Sequence, residues 1–265
     1  MIWALAVVFT AAATITGSGG GREAPLVIRG GNPARGILVN LSTGLRPFDP
    51  PDPALPSLVF VHGFNPLPHV VHFGMAERVA ESLARRGGLA CNVLAWDWNA
   101  ATFESLHPGV NSEVAVHQGH ALAHALWRAG VDPARTHLIG HSAGGMVATS
   151  AAWVFARRFG RPAAQLTLLD PAAFYHTIVF DRLQAGLLCP VVENYWLPGP
   201  SAYGRESATP GVRNYRIVGP ASYAGVVRPL RSDHIFIVRW YLGTIEDPRR
   251  SAGFNTSALL AMPGR

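Results

Sequence analysis

Lysine is absent from this 265-residue chain, and all 22 of its basic residues are arginine. They are scattered rather than gathered on one element, as a nucleic-acid binder would have them. The formal charge of +6 therefore reads as a basic surface, and no nucleic-acid partner is expected. Cysteine is nearly absent as well. Cys91 and Cys189 stand alone, which excludes a disulfide-built scaffold and any Cys/His spacing for structural zinc. An oxidising compartment would let the two pair, whereas in a reducing one they are small buried hydrophobes. Charged residues are also few, at 14% against 49% hydrophobic. Such a chain buries a large core and suits one α/β domain.

Long apolar runs are missing except near the start. The stretch from Ile2 to Ile15 carries no charged side chain and precedes Thr16-Gly17-Ser18-Gly19-Gly20-Gly21. It is short for a membrane span and has the length of a signal-peptide core. No Lys or Arg follows Met1, so a buried N-terminal strand or helix is the alternative. The expectation is a signal peptide or N-terminal anchor over residues 1–24. Residues 25–265 would form the domain, exported to the cell surface, periplasm or medium.

Along that domain, apolar runs of strand length alternate with helix-length segments. Residues 26–28, 36–41, 57–61, 90–96, 166–169, 191–196 and 213–218 read as strands. Residues 75–86 and 113–129 read as helices ended by glycine, and 46–56 as a proline-rich loop. Residues 234–242 fit either a helix or a strand. The run Ser57-Leu58-Val59-Phe60-Val61 has no polar alternation, as expected of a strand covered on both faces. The pattern predicts a mostly parallel central sheet with helices on both faces. There is no internal repeat.

The chemistry concentrates at Gly140-His141-Ser142-Ala143-Gly144, which follows the apolar run Thr136-His137-Leu138-Ile139 and precedes a helix-forming stretch. A strand, a G-x-S-x-G turn and a helix make a nucleophile elbow. Ser142 would sit on a strained turn with its hydroxyl at the sheet edge. Gly140 and Gly144 would let strand and helix pass closely. A serine hydroxyl is a weak nucleophile that needs a histidine as base and a carboxylate to orient that histidine. Chain order in this arrangement is Ser, then acid, then His. Asp170 closes the apolar strand 166–169 and is followed by Pro171, which puts it on the same edge as Ser142. Glu193 is the other acid, inside a strand pattern, and helix capping is the structural alternative for Asp170. Of the histidines beyond Asp170, His234 comes late in the chain, where the base is expected on the last loop. His176 lies only a few residues past the aspartate. Asp233 adjoins His234 too closely to orient its ring. Two backbone N–H donors must meet the oxyanion. These are assigned to Ala143, at the helix head, and to Phe64, in the loop His62-Gly63-Phe64-Asn65-Pro66. His62 and His141 would pack and hydrogen-bond around the two turns, with Gly63 allowing the tight bend.

These segments together resemble the α/β-hydrolase superfamily, and more narrowly the pancreatic-lipase-like family of lipases and phospholipases. His62-Gly63-Phe64 resembles that family's oxyanion loop. Trp96-Asp97-Trp98 resembles its strand end, and Gly140-His141-Ser142-Ala143-Gly144-Gly145 its elbow. Leu169-Asp170-Pro171-Ala172 is similar to its acid-bearing segment, and Asp233-His234 to its late histidine motif. The resemblance implies an α/β-hydrolase fold and a hydrolase of carboxylic esters acting through an acyl-enzyme on Ser142. It supports Asp170 over Glu193, implies no cofactor, and suits a lipid or other hydrophobic acyl ester, with a membrane or lipid surface as a further partner. The family's disulfides, its C-terminal β-sandwich and a recognisable lid are not found, which makes a simple esterase the competing expectation. A thioesterase or acyltransferase would use the same groups, and a lipase-like binding protein would use none of them. His117, His120 and His124 share a helix face without a carboxylate or thiol, so a polar stripe rather than a metal site is expected. Tyr195, Trp196 and Tyr203 are either acyl-pocket residues or ordinary strand residues, and the interval 191–231 is where a substrate-covering loop is expected.

Overall fold

The computed structural model describes residues 36–42, 49–64, 74–87, 90–103, 108–172, 182–198, 203–218 and 230–262. The segments 2–15 and 26–28, and also Asn65, Pro66, His176 and the side chain of Asp233, lie outside them. Among the described residues, no helix is long and apolar enough to cross a membrane.

Seven strands form one sheet: β1 (Ile37–Asn40), β2 (Ser57–Val61), β3 (Asn92–Asp97), β4 (Thr136–His141), β5 (Gln165–Leu169), β6 (Val191–Trp196) and β7 (Arg213–Arg216). Their spatial order is β1-β3-β2-β4-β5-β6-β7. β1 runs antiparallel to β3, and the other pairs are parallel. Parallel strands need crossovers, and the chain supplies helices α1 (Gly74–Arg86), α2 (Asn99–Phe103), α3 (Pro108–Arg128), α4 (Gly144–Trp153) and α5 (Leu230–Glu246).

The unbroken apolar runs of the central strands have a simple cause, for their alternate residues feed two separate cores. Val59, Val61, Leu94, Leu138 and Leu168 pack with α3 and α4 on one face. Leu58, Phe60, Val93, Ile139 and Leu169 pack with α1, α5 and the C-terminal segment on the other. Cys189 belongs to the first face and Cys91 to the second. The two thiols are free, and pairing is excluded because the sheet stands between them. Burial pushes both thiols up to about 12, so they remain protonated and unreactive.

The ambiguous run 234–242 is helical. Ile237, Tyr241 and Ile245 are buried at four-residue spacing and meet Ala76, Val79 and Leu83 of α1. α3 starts at Pro108, five residues before the expected position. Proline fits a first helical turn, where its missing N–H costs nothing.

One buried group makes the fold pH-sensitive. His137 on β4 is wholly buried between Ser257 Oγ (2.9 Å from Nδ1) and Thr167 Oγ1 (2.8 Å from Nε2). Burial pushes its imidazole down to about 3. In the unfolded chain the ring titrates near its ordinary value of about 6.5. Between those values the unfolded chain binds a proton that the folded chain refuses, so stability falls as pH falls. The loss begins near pH 6.5 and reaches about 2 kcal/mol by pH 5 from this group. His137→Gln is expected to lose correspondingly less between pH 7 and pH 5, read as urea-unfolding free energies. Equal losses in parent and variant would refute the assignment.

Candidate active site

The register of the parallel strands brings the chemistry to one edge. Val61 stands opposite Gly140, and His141 opposite Leu169. The residues that follow, His62, Ser142 and Asp170, therefore leave the sheet side by side. Backbone hydrogen bonds carry the alignment past the strand ends, with Ser142 N–H donating to Leu169 C=O (3.0 Å) and Asp170 N–H to Tyr195 C=O (2.8 Å).

Ser142 adopts φ 55° and Asp170 φ 42°, left-handed conformations that cost an ordinary residue roughly 1–2 kcal/mol. Such strain persists only where the surroundings over-determine it. Here the glycines do so. A Cβ on Gly140 would lie 2.5 Å from Gly144 O, and one on Gly144 would lie 2.4 Å from both Val61 O and His62 O. Helix α4 thus passes against β4 and the end of β2 with no room for a methyl group. Gly63 is equally confined, since its Cβ would lie 2.7 Å from Ser142 Cβ and 3.2 Å from Oγ. The loop after β2 consequently lies directly over the hydroxyl.

His234 occupies the beginning of α5 rather than a loop. Its Nδ1 lies 2.5 Å from Asp170 Oδ2, and the two side chains are 13% and 6% exposed. A carboxylate so placed accepts the Nδ1–H, leaving the Nε2 lone pair unprotonated in the neutral ring. Asp170 has a further neighbour that the sequence did not disclose. A Cβ on Gly204 would lie 2.2 Å from Asp170 Oδ1, so the chain passes against the carboxylate there. The ring of Tyr203 stands 4.5 Å from that of His234, and the ring of His141 stands 4.4 Å from it. His141 Nε2–H donates to the His234 carbonyl at 3.0 Å. Burial, aided by the neighbouring His234, holds His141 well below the ordinary histidine range. His141 thus stays neutral and ties His234 to the elbow without adding a competing charge.

Ser142, His141 and His234 share a cavity of about 340 Å³ with His62, Gly63 and Phe64. His62 Nδ1–H donates to Gly63 C=O (2.7 Å), and the backbone N–H of Trp98 donates to His62 Nε2 (3.2 Å). Trp98 Nε1–H donates to the His62 carbonyl (2.8 Å). These bonds pin the loop that carries Phe64. Ala143 is the N-cap of α4, so its neighbourhood has the unpaired N–H groups and positive dipole end of a helix start. A larger cleft of about 470 Å³ between α1 and β3 holds Cys91 but none of these groups.

The other candidates lie elsewhere. Glu193 is buried in the sheet, receiving hydrogen bonds from Gln165, Tyr195 and Thr256, and burial raises its carboxyl. Tyr195 is a fully buried core residue and not a pocket wall. His120 stacks on Trp153, and His124 meets Phe159 edge-on.

A model of the alpha/beta hydrolase family matches residues 58–261, and the chain belongs to that family. No curated protein matches. Among solved structures it is similar to an esterase of Pyrobaculum calidifontis, at 15% identity over 82% of this chain and 86% of that one, with a TM-score of 0.40. It is similar to a thermostable carboxylesterase from a metagenomic library at 13% identity, covering 84% and 92%, with a TM-score of 0.40. A structure from work on two Rhizomucor miehei esterases is similar at 13% identity, covering 80% and 84%, with a TM-score of 0.42. These likenesses are too slight to bear on the chemistry of this chain.

Proposed function

We propose that the chain is a serine hydrolase that cleaves carboxylic esters through an acyl-enzyme on Ser142. The substrate would be a lipid or another ester with a hydrophobic acyl group. The observation that carries this reading is the Asp170–His234 pair at 2.5 Å, set at the cavity that Ser142 also lines. In the first half-reaction, His234 Nε2 takes the hydroxyl proton as Ser142 Oγ attacks the carbonyl carbon. The carbonyl electron pair moves onto oxygen, where the N–H groups of Phe64 and Ala143 receive it. Collapse breaks the bond to the alcohol, which leaves with the proton from His234. Water then repeats the sequence on the acyl-enzyme, releasing the acid and restoring the serine. Asp170 holds the imidazole tautomer and stabilises its protonated form. Within the family, the order of the His62-Gly63-Phe64, elbow, Leu169-Asp170 and His234 segments supports a pancreatic-lipase-like member.

A fluorophosphonate probe mimics the ester and traps an activated serine. One equivalent is expected to label the protein, on the peptide carrying Ser142 by mass spectrometry. Folded protein that stays unlabelled would overturn the proposal.

A further inference from the structure

The walls of the same cavity have an uneven charge. Met75, Val238 and Leu242 give it an apolar side, and Phe64 and Ile235 are exposed large hydrophobics on its lining. Two arginines complete it, Arg78 from α1 and Arg239 from α5, and among the described residues no Asp or Glu lines it. Asp170 stands behind His234 and is engaged with it.

The far ends of the same two helices differ. There Arg85 reaches Glu246 Oε1 at 2.7 Å, and Arg86 donates to Asn255 Oδ1 at 2.8 Å. Because Ser82 and Arg85 meet Glu246 at the end of α5, the helices lie side by side with their beginnings at the cavity. At that end of the pair Arg85 has a carboxylate partner, while Arg86 donates to the neutral oxygens of Ile245 and Asn255. At the other, Arg78 and Arg239 have no carboxylate partner among the described residues. Two exposed guanidinium groups lining a largely apolar cavity favour an anion that offers paired oxygens. A hydrophobic wall beside them favours an apolar body on the same molecule. The volume lies at the lower end of small-molecule sites, roughly 300–1,000 Å³, which suits a compact substrate.

We propose that Arg78 and Arg239 select esters that carry a negatively charged group, a carboxylate or phosphate, beyond the apolar part of the substrate. The inference rests on the ester-hydrolase reading and names its substrate class. The anion sits against the two guanidiniums while the carbonyl lies at Ser142. Each arginine adds a screened attraction, and together they amount to about tenfold in kcat/KM.

The test compares the mono-4-nitrophenyl ester of hexanedioic acid with 4-nitrophenyl hexanoate, each rate normalised to its hydroxide hydrolysis. The parent is expected to favour the anionic ester about tenfold at low salt, and less at 0.5 M salt as screening grows. In R78Q/R239Q the ratio should collapse towards one, and in R78E/R239E it should fall below one. Both side chains are exposed, and thermal unfolding of the variants checks that they fold. A parent ratio near one with both esters hydrolysed overturns the inference and leaves the hydrolase reading standing. If neither ester is hydrolysed, calorimetric titration of S142A decides. Tighter binding of the hexanedioate upholds the anion site without the chemistry, and equal binding sinks it. A preference seen only with phosphatidylglycerol over phosphatidylcholine vesicles, and not with the soluble pair, assigns the arginines to a lipid surface and overturns recognition inside the cavity.

Discussion

Ser142→Ala is expected to lower kcat for a 4-nitrophenyl ester by about 10⁴- to 10⁶-fold, with little change in KM. The size follows from what the substitution removes. In the proposed mechanism no acyl-enzyme forms without Oγ, so His234 and Asp170 would lose their proton donor and contribute almost nothing on their own. The residual rate reflects binding and the oxyanion donors, about 10³-fold over water. Stability should change by less than about 1 kcal/mol, because alanine inherits the same left-handed backbone at φ 55° and the same strain. Single-turnover kinetics and thermal unfolding of one preparation check both halves. A variant that kept a tenth of the parent rate would remove Ser142 from the reaction.

The second large effect belongs to Asp170→Asn. Asparagine keeps the shape of the side chain and tolerates the observed φ of 42° better than most residues. The backbone at the end of β5 should therefore stay in place. What changes is the proton. An amide presents both N–H and C=O, so the imidazole can turn its protonated nitrogen towards the serine, and its cationic form loses the facing charge. A fall of about 10⁴-fold in kcat is expected, with KM within a few-fold of the parent. The Glu193→Gln control should leave the rate near parental, because Glu193 is bound by Gln165, Tyr195 and Thr256 within the sheet. If Glu193→Gln caused the larger loss, the acid would have to be reassigned.

The parts of this architecture legible in the sequence are those governed by local pattern. Ser57-Leu58-Val59-Phe60-Val61 was readable as a doubly covered strand because no polar residue interrupts it. Its alternate side chains indeed go to two different cores. The elbow was readable because only glycine fits where α4 crosses β4, as the 2.5 Å approach at Gly140 demonstrates. The run 234–242 was not readable. Ile235-Phe236-Ile237-Val238 suits a strand by composition, and only packing of Ile237, Tyr241 and Ile245 on α1 makes it a helix. Likewise nothing local marks Gly204 as the neighbour of Asp170, or Arg78 and Arg239 as walls of one cavity. Those residues lie on elements that are remote in sequence.

By itself the chain determines which of the strongly patterned segments are strands and helices, where it must bend sharply, and which residue types are available to carry a proton. Hydrophobic period and the steric demands of glycine act over a few residues, so they leave a trace in the order of letters. Which imidazole nitrogen faces Asp170, which thiols are kept apart by the sheet, and which charges surround the cavity were decided only in three dimensions. Those depend on strand register and helix packing, where contacts form between residues that no local pattern connects.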